Sequence, residues 1–212
     1  SRQQEIAGFE EDIDPSTLSL EGGRIATHNL TKWHETRINL KWDALETHAA
    51  VFAWDSRVHD GPARVDFELP PASPLAATDG RLILSEAGVD SLPDDWKDEG
   101  TSAESDAADG DDASLDWTVV LRDADGAEAK LPLSHDHALY PQVQAVPRRA
   151  PFLDENEPAE ALFRRYDIAI ADFAATNTDF DPGRLATISF VFDDSPQGAI
   201  LLDDISFRPA DP

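Results

Sequence analysis

Residues 185–207 read LATISFVFDDSPQGAILLDDISF, and this stretch decides the fold class. Ile188, Phe190 and Phe192 fall on one side of an alternating run, with Ser189 and Asp193 on the other. An extended chain turns successive side chains to opposite faces, so a period of two marks a strand with one buried face. Ser195-Pro196-Gln197-Gly198 then carries turn chemistry, and Ala199–Phe207 follows as a second strand with Ile200 and Leu202 on its apolar side. Such faces need another sheet to cover them. The expectation is an all-β, antiparallel two-sheet sandwich with Ile188, Phe190, Phe192, Ile200 and Leu202 in its core.

Working outward, the same pattern recurs at Arg24–His28, Thr36–Trp42, Ala49–Asp55, Ala63–Leu69, Arg81–Glu86, Trp117–Arg122, Ala127–Leu133 and Phe163–Ile170. In Trp117–Arg122, Trp117, Val119 and Leu121 share one face, and Thr118, Val120 and Arg122 share the other. Asp125-Gly126 supplies the positive φ of a tight hairpin, with Ala127–Leu133 returning beside that strand. No long segment has a helical period, which leaves a sandwich or barrel.

A chain of 212 residues is long enough for a single β domain, read here as residues 1–212. Its interruption, Pro93–Ser114 (PDDWKDEGTSAESDAADGDDAS), is rich in acids and small residues that cannot repay ordering entropy, and reads as a mobile acidic surface loop inside the domain. A calcium loop is the other reading, but Asp106, Asp109, Asp111 and Asp112 lack the helix–loop–helix spacing. Pro141–Pro158 is a second irregular stretch and carries Arg148-Arg149, a pair that can grip a carboxylate or sugar acid or merely offset Asp154 and Glu155.

Asp and Glu number 43 against 17 Lys and Arg, a net charge of −26. Nucleic acid is thereby excluded as a partner, because its binding needs a basic stripe that releases counterions. Anionic membrane surfaces are disfavoured likewise, and no apolar run is long enough for insertion. Asp outnumbering Glu, with lysine only at positions 32, 41, 97 and 130, fits a saline habitat; an acidic secreted protein of ordinary salinity is the alternative. With no cysteine, disulfides, thiol nucleophiles and thiolate metal sites are ruled out. With no methionine either, the chain is expected to follow a removed segment or to be an excised piece, and an extracellular or cell-surface location is expected.

The chemistry-bearing motifs are few. There is no G-x-S-x-G, no phosphate-binding glycine loop and no H-E-x-x-H, and among so many acids no carboxylate pair stands out, so no catalytic residue is assigned. His135-Asp136-His137 would aim both imidazoles at one zinc ion if it lay in a strand; in a loop after Leu133 each His would be solvated. Exposed indoles can stack on sugar rings. Trp42, Trp54 and Trp117 lie in alternating strands and read as core, which leaves Trp33 and Trp96, with Arg148 and Arg149, as the candidate ligand-binding residues.

The opening AGFEEDIDP (7–15) and ATHNLTKW (26–33), with FRRYDIAIADF (163–173) and FDPGRLATISFVFDDSPQGAILLDDISF (180–207), resemble carbohydrate-binding-module jelly rolls of the galactose-binding-like class. The likeness is firmest over the last fifty residues and absent from the acidic middle. It implies a non-catalytic module that binds carbohydrate or packs against an attached catalytic domain of a secreted hydrolase. It also implies a structural Ca²⁺ shared between an N-terminal acid, here Glu10, and an acid of the last strand, here Asp203 or Asp204. A cell-surface adhesion or structural domain, and a stand-alone polysaccharide hydrolase or lyase, are the competing expectations.

Overall fold

The structure, a computed structural model, describes residues 4–8, 18–29, 48–55, 61–69, 79–88, 115–139, 163–195 and 197–209. Two antiparallel sheets face each other. The first runs β3 (Gly23–Asn29), β4 (His48–Asp55), β11 (Gln197–Pro209), β6 (Gly80–Gly88), β9 (Arg164–Ala169), with β1 (Gln4–Ala7) also paired to β11. The second runs β2 (Ser19–Glu21), β5 (Ala63–Glu68), β10 (Leu185–Phe192), β7 (Thr118–Asp123), β8 (Glu128–Pro132). The alternation expected of these strands is the alternation found. Trp117, Val119, Leu121, Ile188, Phe190, Phe192, Ile200 and Leu202 all lie in the interior cluster. Each large apolar side chain so buried stabilises the fold by about 1.5–3 kcal/mol.

One end of the interior is aromatic. The Trp54 ring stacks on Phe192 at 4.2 Å between centroids, Phe52 stacks on the same ring at 4.5 Å, and Trp117 tilts against it at 5.4 Å. The Trp54 indole N–H donates to the Ser195 carbonyl at 2.8 Å, so the ring is buried without an orphaned donor. Gly23 and Gly198 flank Trp54 in the ladder on either side. The missing Cβ at Gly198 would lie 2.5 Å from the Trp54 ring, and that at Gly23 lies 2.6 Å from Phe52, so both glycines make room for aromatic rings. The first sheet is apolar on its other face too, where Ala49, Val51, Ala53 and Leu201 form a second buried cluster.

The β7–β8 hairpin turns at Gly126, whose φ is +91°. Asp123 stabilises it: its carboxylate accepts from the backbone N–H groups of Asp125, Ala127 and Asp181, at 2.9, 2.9 and 3.0 Å. Burial opposes ionisation there, but those backbone donors prevail and hold the acid below the ordinary aspartate range. On the outer face of the first sheet, Asp167 of β9 accepts from Arg81 of β6 and Arg208 of β11, tying three strands. The two guanidinium groups outweigh burial, and its pKa is lowered as well.

β11 carries a bulge. Its pairing with β6 shifts register between Asp203 and Ser206, and Asp204 sits at φ 52°. On one flank β11 pairs with β4 through Leu202 and with β1 from Ile205 onward, so the bulge falls where the neighbour changes. The extra residue resets the alternation, and Ile205 and Phe207 again face inward.

Two expectations need correction. Phe163–Ile170 does not end as a strand: β9 stops at Ala169 and a short helix, α1 (Ile170–Thr176), follows, burying Ile170 and Phe173. Ala127–Leu133 ends as β8 at Pro132, with Leu133–His135 in a 3-10 turn. β1 and β2 were not foreseen. Of the two readings of His135-Asp136-His137, the one outside a strand after Leu133 is found, and the imidazoles diverge: His135 lies 3.1 Å from Asp172, whereas His137 lies 3.0 Å from Asp136 and stacks on Tyr166. Among the described residues no three acidic or histidine side chains are arranged to hold a metal. The expected strand Thr36–Trp42 and both irregular stretches, Pro93–Ser114 and Pro141–Pro158, lie outside the described residues.

Candidate functional site

The outward face of the second sheet is built as a grid by strand register. Glu68, Thr187, Arg122 and Glu128 stand in one row; Ser19, Asp66, Ser189, Val120 and Lys130 stand in the next; Glu21, Arg64, Val191 and Thr118 stand in a third. Because the opposite parity is apolar and buried, these polar residues are forced to this face together. Ser189, Thr187 and Val120 form its floor and are buried.

Longer side chains arch above that floor. Arg64 Nε donates to Asp66 at 2.6 Å and its Nη2 donates to Ser189 Oγ at 2.8 Å. The same nitrogen comes within 4.0 Å of Glu128, although two strands separate β5 from β8. Unbent strands three spacings apart would stand about 14 Å from each other, so the two side chains must lean inward over β10 and β7. Arg122 Nη2 donates to Thr187 Oγ1 at 3.3 Å and approaches Glu68 at 4.0 Å. Lys130 Nζ sits 2.8 Å from Glu128. That hydrogen bond, aided by the charges of Arg64 and Arg122 and opposed by burial, lowers the Glu128 pKa.

The electrostatic consequence follows from the pairing. Arg64, Arg122 and Lys130 oppose Asp66, Glu68 and Glu128, so the ion-paired centre of this face is neutral within a chain of −26. It offers fixed donors and acceptors whose own charges cancel. An uncharged, hydroxyl-rich molecule is the kind of ligand such a surface can hydrogen-bond.

Of the residues nominated from sequence, Trp33, Trp96, Arg148, Arg149 and Glu10 lie outside the described residues. Asp203 and Asp204 lie at the β11 bulge, where Asp203 Oδ1 accepts from the Asp204 N–H at 2.8 Å. Trp54 and Trp117 are core, as expected. Sequence reasoning missed the grid, although its signal was present: Arg64, Asp66 and Glu68 recur at every second position opposite Val65 and Phe67.

No family model matches the chain, and no curated protein sequence does. Solved structures match the fold. An exo-beta-agarase superposes with a TM-score of 0.54 at 14% identity, covering 99% of this chain and 26% of that one. A family 30 carbohydrate-binding module gives 0.52 at 11% identity, covering 100% and 86%. The family 11 carbohydrate-binding module from Clostridium thermocellum, in complex with a beta-1,3-1,4-mixed-linked tetrasaccharide, gives 0.50 at 9% identity, covering 98% and 96%. The chain thus spans about a quarter of the agarase and nearly the whole of either module. Its architecture is the jelly-roll sandwich of carbohydrate-binding modules.

Proposed function

We propose that this chain is a non-catalytic carbohydrate-binding module, extracellular and accessory to a polysaccharide-acting hydrolase, and that it holds an uncharged polysaccharide on the Arg64–Arg122–Lys130 face. The carrying observation is the neutral, hydrogen-bonding centre of that face in a strongly acidic chain. A polyanionic glycan would meet the repulsion of the remaining charge, whereas a neutral one would not. Affinity electrophoresis through gels containing mixed-linkage β-glucan, agarose or xyloglucan, set against alginate, tests this. Retardation by a neutral gel, lost in Arg64→Ala/Arg122→Ala, is expected. No retardation by any neutral polysaccharide would sink the reading, and turnover of one by the isolated chain would replace it with a hydrolase.

We further propose that Asp203 or Asp204 shares a structural Ca²⁺ with Glu10. Support comes from register and donor chemistry: Ala7 pairs with Ile205 beside the bulge, Glu10 follows Ala7 by three positions, and carboxylate oxygens suit this ion. A bound ion would tie the β1 end of the chain to the last strand. At a hundredfold excess over the dissociation constant it would add about 2.7 kcal/mol of stability. Calorimetry in chelator and in Ca²⁺, at fixed high ionic strength, should show that rise; its absence in wild type, or its survival in Glu10→Ala/Asp204→Ala, refutes the site.

A further inference from the structure

Three side chains distant in sequence turn polar atoms into the interior. Glu86 extends the inward-facing Leu82–Leu84 parity of β6 and is completely buried, as is Tyr166 of β9; Trp117, just before β7, is 1% exposed. Glu86 Oε1 and Oε2, Tyr166 Oη and Trp117 Nε1 are buried with no hydrogen-bond partner among the described residues. Buried polar atoms in folded proteins are almost always satisfied, by protein or by a small molecule held between them.

Register puts Glu86 and Tyr166 on adjacent strands facing the same way, and Trp117 enters the same interior from the start of the opposite sheet's β7. Tyr166 pairs with Leu84, two residues along the ladder from Glu86, which itself pairs with Arg164. The Asp116 carboxylate, adjacent in sequence to Trp117, acts on both Glu86 and Tyr166. The cluster is sealed from outside by residues 133–139. Ser134 donates from its N–H at 3.1 Å and its Oγ at 2.5 Å to Asp116. Asp136 accepts from the Asp167 N–H at 3.1 Å, Leu115 bridges Leu139, and the His137 ring lies flat on Tyr166 at 4.1 Å.

The set of atoms selects its occupant. An indole N–H can only donate, which repels a metal cation. The Asp116 carboxylate beside the cluster disfavours an anion. An indole donor, with a carboxyl and a phenol that can each donate or accept, is together the complement of a neutral hydroxyl. We infer that Glu86, Tyr166 and Trp117 form an interior site for a neutral hydroxyl-bearing molecule, bridged among the three side chains beneath residues 133–139. Water sealed in during folding and a sugar hydroxyl admitted when that segment lifts share this chemistry. The site is separate from the outward face and does not depend on the function proposed for it.

High-resolution crystal structures of the whole chain, alone and soaked with cellotetraose, distinguish the sources, together with magnetisation transfer from solvent to the Trp117 indole proton in solution. Density within hydrogen-bond distance of at least two of the three groups in the unsoaked crystal, with transfer from water, identifies sealed water. Density there only after soaking, with a shift of the indole resonance, identifies a sugar hydroxyl. No density in either crystal and no transfer overturns the inference. So does an occupant whose position and occupancy are unchanged in Tyr166→Phe, since the phenol would then be no partner.

Discussion

Glu86 sets the sharpest expectation for a single residue. Burial first, and the Asp116 carboxylate second, raise its pKa well above the ordinary 4.5. Because the folded value exceeds the unfolded one, the native state binds the extra proton. The stabilisation from that proton is therefore full below about pH 4.5 and falls as pH rises toward the folded value, by about 1.4 kcal/mol per unit. Glu86→Gln keeps the shape and removes the titration. Its melting temperature should exceed that of wild type by a margin that widens from pH 4.5 upward; a constant difference would show that Glu86 ionises freely. Asp123, Glu128 and Asp167, all with lowered values, act the opposite way and lose their contribution as pH falls through their folded values. The parity of Leu82, Leu84 and Glu86 was readable in the sequence, but not the burial of the third member. The strand beside it, β9 with Tyr166, lies far along the chain, and no local pattern encodes that meeting. The same limit applied to His135 and His137, whose partners Asp172 and Tyr166 come from α1 and β9.

Among elements, β4 is held by what its neighbours lack. Trp54 lies between Gly23 and Gly198 in the ladder, and a methyl group at residue 198 would stand 2.5 Å from its ring. The ring cannot yield freely, since it is packed on Phe192 and anchored to the Ser195 carbonyl. Gly198→Ala should therefore destabilise by about 1–3 kcal/mol, read as a lower urea midpoint at unchanged slope. No loss would mean that Trp54 has a second rotamer open to it. Strand identity was legible wherever one face is polar, as in ARVDFE and LATISFVF. Even β4, apolar on both faces, was marked by its run of small and aromatic residues. The helix α1 was not, because Ile168 and Ile170 continue a strand period and only Phe173, three further on, breaks it. The β11 bulge did leave a trace: the apolar positions step from 200 and 202 to 205 and 207, and the odd interval is the extra residue.

For the molecule as a whole, charge is the dominant variable. With −26 spread along the chain, the native state compresses like charges that the unfolded state keeps apart, and molar salt shortens their reach to about 3 Å. A gain of about 3 kcal/mol on going from dilute buffer to molar salt would raise the melting temperature by roughly 6–12 °C, measurable by calorimetry. A flat or falling curve would remove the argument for a saline habitat. The sheet order has its own consequence, which concerns biosynthesis. The centre of the first sheet is β11, latest of the described strands to leave the ribosome, and it joins β4, β6 and β1. Until it arrives, β4 and β6 have no common partner, and their edges stay open to other chains. Contacts as distant as Gln4 with Phe207 place folding among the slow, non-local cases. A chain stalled before Gln197 can pair β3 with β4 and β6 with β9 but cannot join the two halves into one sheet, so the nascent chain stays exposed to aggregation until β11 has emerged.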